Sequence, residues 1–376
     1  MTRPGGDALV IGAGTAGLAA TIALRRAGWS VELVERAPEL RAVGAALSLW
    51  PNAVEGLRRL DAAGRIEGQA APIRRMLLAT RTRGGSWARL IDRAVVGDAF
   101  LVPRALLQDA LLDAIGDVPI AFGVEAVGLV SAERGEVGFA DGSRRSADLV
   151  VVADGLRSPV ARAVIGTEPA HAGYAGVVAM SDPVAEDGVG GLAAEYWGRH
   201  ERFGVCDLGA GRRYWFHMRT AAAGAPALSH HQIASRAEAW PASVRAAVAA
   251  TPPDRLIPWP IHAKPPPRRL GKGRVVCVGD AGHAMEPNLG QGACQAIEDA
   301  VALAAAVARG GAEEVPGLFE TMRLKRARAV VRRSAEGGRA VHGPGVVQGI
   351  MRAGLKVVPN TIQERMVAGM QTLPPY

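Results

Sequence analysis

Aromatic side chains are scarce in this 376-residue chain, at 5%, and cysteine occurs only three times. Cys206, Cys277 and Cys294 show no C-x-x-C spacing, which argues against a dithiol redox motif and a zinc site, and no metal is expected. Each lies in an apolar run or beside a helix start, as a small buried thiol does. No uninterrupted apolar segment reaches membrane-spanning length, so no membrane partner is expected. The first strand starts by Ala8, leaving no room for a secretory signal, and a cytoplasmic location is expected. Nucleic acid is not an expected partner. The net charge of +8 comes from Arg spread along the chain, with few aromatics and no nucleic-acid motif. That basicity reads as solvated surface, which also attracts anionic small molecules. No internal repeat is present.

Glycine, by contrast, is abundant at 47 residues, within an otherwise ordinary globular composition of 49% hydrophobic and 21% charged residues. The length suits two intimate domains. Ala8-Leu9-Val10-Ile11 reads as a buried parallel strand. It leads into Gly12-x-Gly14-x-x-Gly17 and a helix over residues 18–27. Gly12 allows the tight turn, Gly14 lets a pyrophosphate reach the backbone, and Gly17, beside Ala16, allows close helix–strand packing. A second strand, Val31-Glu32-Leu33-Val34, ends in Glu35, whose carboxylate suits ribose hydroxyls, and Arg36 is placed to cover the adenine or its phosphates. The fingerprint alone does not choose between NAD and FAD.

A second Gly- and Pro-rich loop runs from Gly279-Asp280 through Pro287-Asn288-Leu289-Gly290-Gln291-Gly292-Ala293. It joins the apolar strand Val275-Val276-Cys277-Val278 to a helix beginning near Gly292, whose N-terminus favours partial negative charge. The two turns look like the two halves of a flavin site. Between them lie a small-residue strand over residues 43–52, a hairpin around Gly84-Gly85, and a helix opened by Pro103-Arg104. A cation is disfavoured in a first helical turn, so Arg104 is expected to reach toward an anionic ligand. From about Gly166 to Pro267 the runs alternate and carry aromatics, as in an inserted, mostly antiparallel sheet. The Arg-rich helix near residues 323–333 reads as a solvated face.

With these pieces in order, the chain resembles the single-component, FAD-dependent aromatic hydroxylases of the p-hydroxybenzoate hydroxylase fold. The matching motifs are Gly12-x-Gly14-x-x-Gly17, Asp154-Gly155-x-x-Ser158-x-x-Arg162, and Gly279-Asp280 through Gly290-Gln291-Gly292. The second loop and residues 43–52 are similar to the urate hydroxylase and zeaxanthin epoxidase branch. The resemblance implies an α/β fold: a Rossmann-like FAD-binding domain, an inserted antiparallel substrate sheet and C-terminal helices. The expected division is residues 1–72, 98–165 and 268–335 for FAD, 73–97 and 166–267 for substrate, and a helical segment over 336–376.

The resemblance also implies roles. Asp280 hydrogen-bonds the ribityl or pyrophosphate side of FAD, Arg104 the same region, and Asp154 lies near both FAD and the nicotinamide nucleotide. Pro287 lies at the reactive edge of the isoalloxazine. Amides of Leu289, Gly290, Gly292 and Ala293 stabilise the pyrimidine end of the reduced ring. Arg202 and Tyr214 match the Arg and Tyr that engage substrate in the urate enzymes, although Cys206-Asp207 stand where Met-Pro is typical. Arg202 also reads as a salt-bridge partner for Glu195 or Glu201, and Tyr214 as packing. His283 reads as a buried imidazole or an acid–base group. Trp50, Trp197, Trp215 and Phe216 are candidates for an apolar wall.

The implied activity is an NAD(P)H-driven, O2-dependent monooxygenation of an electron-rich aromatic or polycyclic small molecule through a flavin C4a-hydroperoxide. Urate hydroxylation specifically, a flavin reductase or dehydrogenase on the same fold, and a non-catalytic flavin- or ligand-binding protein are the alternatives. The W-x-W-x-I-P motif of flavin halogenases is absent.

Overall fold

The computed structural model describes residues 5–41, 45–82, 84–185, 189–357 and 369–376. Val43 and Gly44 of the small-residue strand lie outside the described residues. Strand Asp7–Ile11 sits inside a six-stranded sheet, between Leu149–Val152 and Ser30–Glu35. Beyond these lie Val275–Cys277 and Gly271–Lys272 on one side and Ile120–Phe122 on the other. Every pairing is parallel except that of the edge strand Gly271–Lys272. Strands covered on both faces need continuous apolar sequence, and Leu149–Val152 supplies it with every residue at 0% exposure. Ala8 and Val10 feed one core with the helices Thr15–Arg26 and Gly292–Arg309. Leu9 and Ile11 feed the other, with the helix Pro159–Ile165. An antiparallel meander of Ala126–Ser131, Glu136–Phe139 and Arg144–Ser146, not foreseen from the sequence, closes that second face.

A seven-stranded sheet stands against this nucleotide-binding half. Its order is Ile257–Ala263, Ala170–Met180, Arg212–Thr220, Glu201–Gly209, Leu192–Trp197, Arg75–Arg81 and Trp87–Ala94. It is antiparallel except where Leu192–Trp197 meets Arg75–Arg81. Period-two alternation splits its side chains between two faces. Phe203, Val205, Trp215 and Tyr196 face the helices His230–Ala237 and Ala242–Ala249. The opposite face turns toward the loop after Val275–Cys277. A small antiparallel sheet of Ala46–Leu49, Phe100–Pro103 and Ala71–Pro72 lies between the two halves. The architecture is thus α/β, with a Rossmann-like parallel sheet, an inserted, mostly antiparallel sheet and C-terminal helices.

The Arg-rich helix departs from expectation. It is one unbroken element, Val315–His342, that passes through residue 335, and Arg323 on it is wholly buried rather than solvated. Its guanidinium donates to Glu298 and Asp299, each at 2.7 Å, and both carboxylates are equally buried. Burial of an ion triad is tolerable only when hydrogen bonds are complete, and here Arg326, Asn52 and Gln295 complete Glu298. Among the described residues, no helix is long and apolar enough to cross a membrane, and no group of three or more His, Cys, Asp or Glu is placed to hold a metal ion.

Candidate functional site

The first turn behaves as its glycines require. Gly12 has φ +100, and a Cβ there would lie 2.6 Å from the Ala153 carbonyl oxygen. A Cβ on Gly17 would lie 1.7 Å from the Gly12 oxygen, so helix and strand meet only through glycine. Gly14 differs: it is exposed, and a Cβ on it would meet nothing within 4 Å. It is also the N-cap of Thr15–Arg26 and supplies no side-chain cap, so the first amides face outward. Gly12, Gly14, Glu35, Arg36, Asp154, Gly155 and Arg157 line one cavity of about 260 Å³. Glu35 accepts the amides of Ala13 at 2.8 Å and Ala37 at 2.9 Å, which fixes the carboxylate at the cavity edge.

The second turn closes onto the first. Gly279, with φ +55, packs so tightly that a Cβ on it would lie 2.7 Å from the Cβ of Ala16. Asp280 follows it, exposed, in the one-turn helix Gly279–His283. His283 is 1% exposed and bonds Asp299 at 2.7 Å, while Asp299 also accepts the Gly279 amide at 2.7 Å. His283 is therefore the buried imidazole that holds this turn in place. Burial opposes the Asp299 charge, but His283 and Arg323 outweigh it and hold its pKa below the usual value. The loop goes on through the turn Pro287–Leu289 to Gly290, with φ +60, backed by the Trp50 indole. Helix Gly292–Arg309 then starts without a side-chain cap. Arg104 stands exposed at the start of its own helix, Arg104–Ile115, away from the apolar stripe.

Two helices whose N-termini lack side-chain caps thus meet around the Ala16–Gly279–Ala296 contact, with an open glycine at the start of the first. Asp154 adds a buried Oδ1 that has no hydrogen-bond partner. Burial raises its pKa, against the pull of Ser158 and Lys264. These features fit a dinucleotide with an anionic pyrophosphate and a ring that takes negative charge when reduced.

Arg202 and Tyr214 occupy adjacent strands on the same face of the seven-stranded sheet, as the pairs Arg202–Met218 and Cys206–Tyr214 require. Arg202 is 3% exposed and donates to Glu195 at 2.8 Å and to Asn288 at 2.5 Å. Of the two acids considered for it, Glu195 is the partner. Glu201 instead bonds His217 at 2.6 Å on the other face. Tyr214 is buried, and burial raises its pKa. Phe216 lies over Gly204, where a Cβ would come within 2.1 Å of its ring. Trp215 does not belong to this wall: it alternates to the opposite face and donates to Thr251 at 2.8 Å. Trp197 donates to Glu195 at 2.6 Å.

Sequence reasoning missed several residues here. The Tyr174 hydroxyl donates to Glu286 at 2.9 Å, and Asn288 donates to the same carboxylate at 2.8 Å. His342 stacks on Tyr174 with ring centroids 4.2 Å apart. Lys264, 4% exposed, donates to the Ala281 carbonyl at 2.9 Å, and burial lowers its pKa. Glu286 and Asn288 stood inside the loop motif and were legible as loop residues, but nothing local signalled Tyr174, His342 or Lys264.

The comparisons agree with this geometry. A family model described as an FAD binding domain matches residues 6–334. The chain is 37% identical over 315 residues to aurachin C monooxygenase/isomerase of Stigmatella aurantiaca, covering 80% of each. It is 33% identical over 382 residues to the FAD-dependent urate hydroxylase of Klebsiella pneumoniae, covering 96% of this chain and 97% of that one. The crystal structure of Klebsiella pneumoniae HpxO complexed with FAD and uric acid superposes with a TM-score of 0.84 at 29% identity, over 97% of this chain and 95% of the other. With two glycine turns meeting at Ala16 and Gly279 and a substrate-type sheet facing them, the chain belongs to the FAD-binding-domain family and is an FAD-dependent monooxygenase of the aromatic hydroxylase type.

Proposed function

We propose that the protein is an NAD(P)H-driven monooxygenase that hydroxylates or epoxidises an electron-rich aromatic or polycyclic small molecule. The observation that carries this reading is the direct bond from Arg202, in the sheet, to Asn288, in the loop beside Pro287. It sets the sheet face against the edge of the cofactor groove. When bound, FAD supplies electrons taken from NAD(P)H and the activation of O2, one oxygen atom going to product and the other leaving as water.

The chain's own residues bind, orient and exclude water. In this reading Gly12, Gly14, Ala16 and Gly17 bring backbone amides to the pyrophosphate. Glu35 keeps lone pairs for ribose hydroxyls, and Arg36 lies beside the adenine. Arg104, Asp154 and Asp280 address the ribityl and pyrophosphate region. Pro287, Leu289, Gly290, Gly292 and Ala293 hold the pyrimidine side of the ring system, where the helix N-terminus favours negative charge. Arg202 and Tyr214 orient the substrate, and Phe216 and Trp50 supply apolar cover that keeps water out. The domain division follows sheet membership: residues 1–72, 98–165 and 268–335 for FAD, 73–97 and 166–267 for substrate. The helix Val315–His342 joins the former to the segment 336–376. A cytoplasmic setting supplies the NAD(P)H.

The test is substrate-stimulated NAD(P)H oxidation by the FAD-loaded protein under labelled O2. Label entering the product in step with NAD(P)H consumed is the expected result. Turnover that continues unchanged without oxygen rejects the proposal.

A further inference from the structure

We infer that Glu195 is a specificity-determining residue: by neutralising Arg202 it makes the substrate face selective for uncharged flat rings that carry a carbonyl or phenolic oxygen, and unreceptive to anionic rings. The inference rests on the monooxygenase reading and narrows its substrate class.

The bond pattern comes first. Arg202 sits in the sheet with 3% exposure, and its two terminal nitrogens are engaged, one by Glu195 at 2.8 Å and one by Asn288 at 2.5 Å. The Glu195 carboxylate is not free to swing away. The same oxygen, Oε1, accepts the Trp197 indole N–H at 2.6 Å. A carboxylate so fixed cancels most of the attraction that Arg202 would otherwise exert on an incoming anion.

The buried neighbours add no compensating positive charge, and Arg339, which acts on Glu286, is exposed and screened by solvent. Glu286 is a second acid, bonded by Tyr174 and Asn288. Burial raises its pKa, against the pull of those two bonds, but it brings no positive charge in either state. His342, stacked on Tyr174, has its pKa pushed down to about 3 by burial, so it is neutral at physiological pH. Arg104 acts on Tyr214 from the rim, but it is exposed and its field is screened by solvent and salt. The buried groups that meet a substrate here therefore sum to no net positive charge.

The remaining chemistry is that of a neutral aromatic. Tyr214, Phe216, Met180, Met76 and Cys206 share the face, an apolar and polarisable surface suited to a flat ring. One donor of the guanidinium is unpaired: Nε of Arg202 is buried, has no hydrogen-bond partner, and is reached by a substrate oxygen only when the side chains over it shift. A single N–H suits one carbonyl or phenolic oxygen. A ring carboxylate, which calls for the two-pronged fork, would have to displace Glu195 or Asn288 to obtain it.

The experiment compares 2-naphthol with 2-naphthoate, and with urate, on the FAD-loaded, oxygen-free protein at neutral pH. Binding is read from perturbation of the flavin visible spectrum. The expected result is that 2-naphthol binds at least roughly tenfold more tightly than either anion. In Glu195→Gln the ratio of naphthol to naphthoate affinity falls by roughly tenfold or more, with FAD still bound. Tighter binding of naphthoate or urate to the unaltered protein overturns the inference. So does an unchanged ratio in Glu195→Gln, or the absence of any perturbation by 2-naphthol. Should the broader reading fail, the signature is different: no FAD is taken up, or no label from O2 reaches any product.

Discussion

Arg202 and Asn288 are joined by a hydrogen bond of 2.5 Å between a strand of the seven-stranded sheet and the loop that follows Pro287. This bond ties the positions of two elements that otherwise belong to different halves of the molecule. Asn288 is itself held by the Ser334 carbonyl at 2.7 Å, so the long helix takes part in the same alignment. Asn288→Ala removes a hydrogen bond to a charged donor, worth about 1.5–3 kcal/mol. The expected outcome is a lower urea midpoint together with a raised substrate KM and retained FAD. A variant with unaltered KM would show that the loop finds its place without the sheet.

Gly14 and Gly17 should respond oppositely to the same change. Gly14 has φ −77, a value open to any L-residue, and a methyl group there would meet nothing within 4 Å. Gly14→Ala is therefore expected to leave FAD-free stability within about 0.5 kcal/mol while weakening FAD binding by roughly tenfold or more. Gly17→Ala places a methyl group 1.7 Å from the Gly12 oxygen, and loss of folded protein is expected. Urea unfolding with and without FAD separates the two cases.

Arg323→Met strands Asp299 and Glu298 beside an apolar side chain. Removing one partner from a buried ionic cluster costs about 3–5 kcal/mol. Because Asp299 holds the Gly279 amide, FAD affinity should fall as well. A loss below about 1 kcal/mol in urea unfolding would show that Arg326 and His283 suffice without Arg323.

His342 gives the protein an acid-sensitive element. Burial holds its folded pKa at about 3, below the ordinary imidazole value of 6.5, so the unfolded chain binds the extra proton between those values. Stability from this group is complete above pH 6.5 and is lost progressively as pH falls toward 3. Near pH 5 the loss is on the order of 1–2 kcal/mol. His342→Gln should flatten the stability–pH curve in that window, measured by urea unfolding at a series of pH values. An unchanged slope would assign the acid sensitivity to other groups.

Much of the cofactor half was legible in the sequence because its signals are local. Gly12, Gly14, Gly17 and Gly279–Gly292 act through backbone geometry that a short stretch of chain determines by itself. The face of Trp215 was legible too, since Tyr214, Trp215 and Phe216 must alternate, and treating Trp215 as part of the same wall as Phe216 ignored that period. What could not be read locally was the fate of charge. Arg323 and Arg328 lie on one helix and look alike in sequence, yet only the first meets two carboxylates supplied by another helix. The same holds for Lys264 and Tyr174, whose partners lie in the distant loop.

The lone parallel pairing in the large sheet, between Arg75–Arg81 and Leu192–Trp197, has a consequence for the newborn chain. The hairpin of Arg75–Arg81 and Trp87–Ala94 leaves the ribosome first, and its inner edge waits for a neighbour translated about a hundred residues later. At about 5–20 residues per second that is roughly 5–20 seconds of exposure to other nascent strands. Arginine at both ends of the waiting strand, Arg75 and Arg81, makes it a poor template for such mispairing during synthesis.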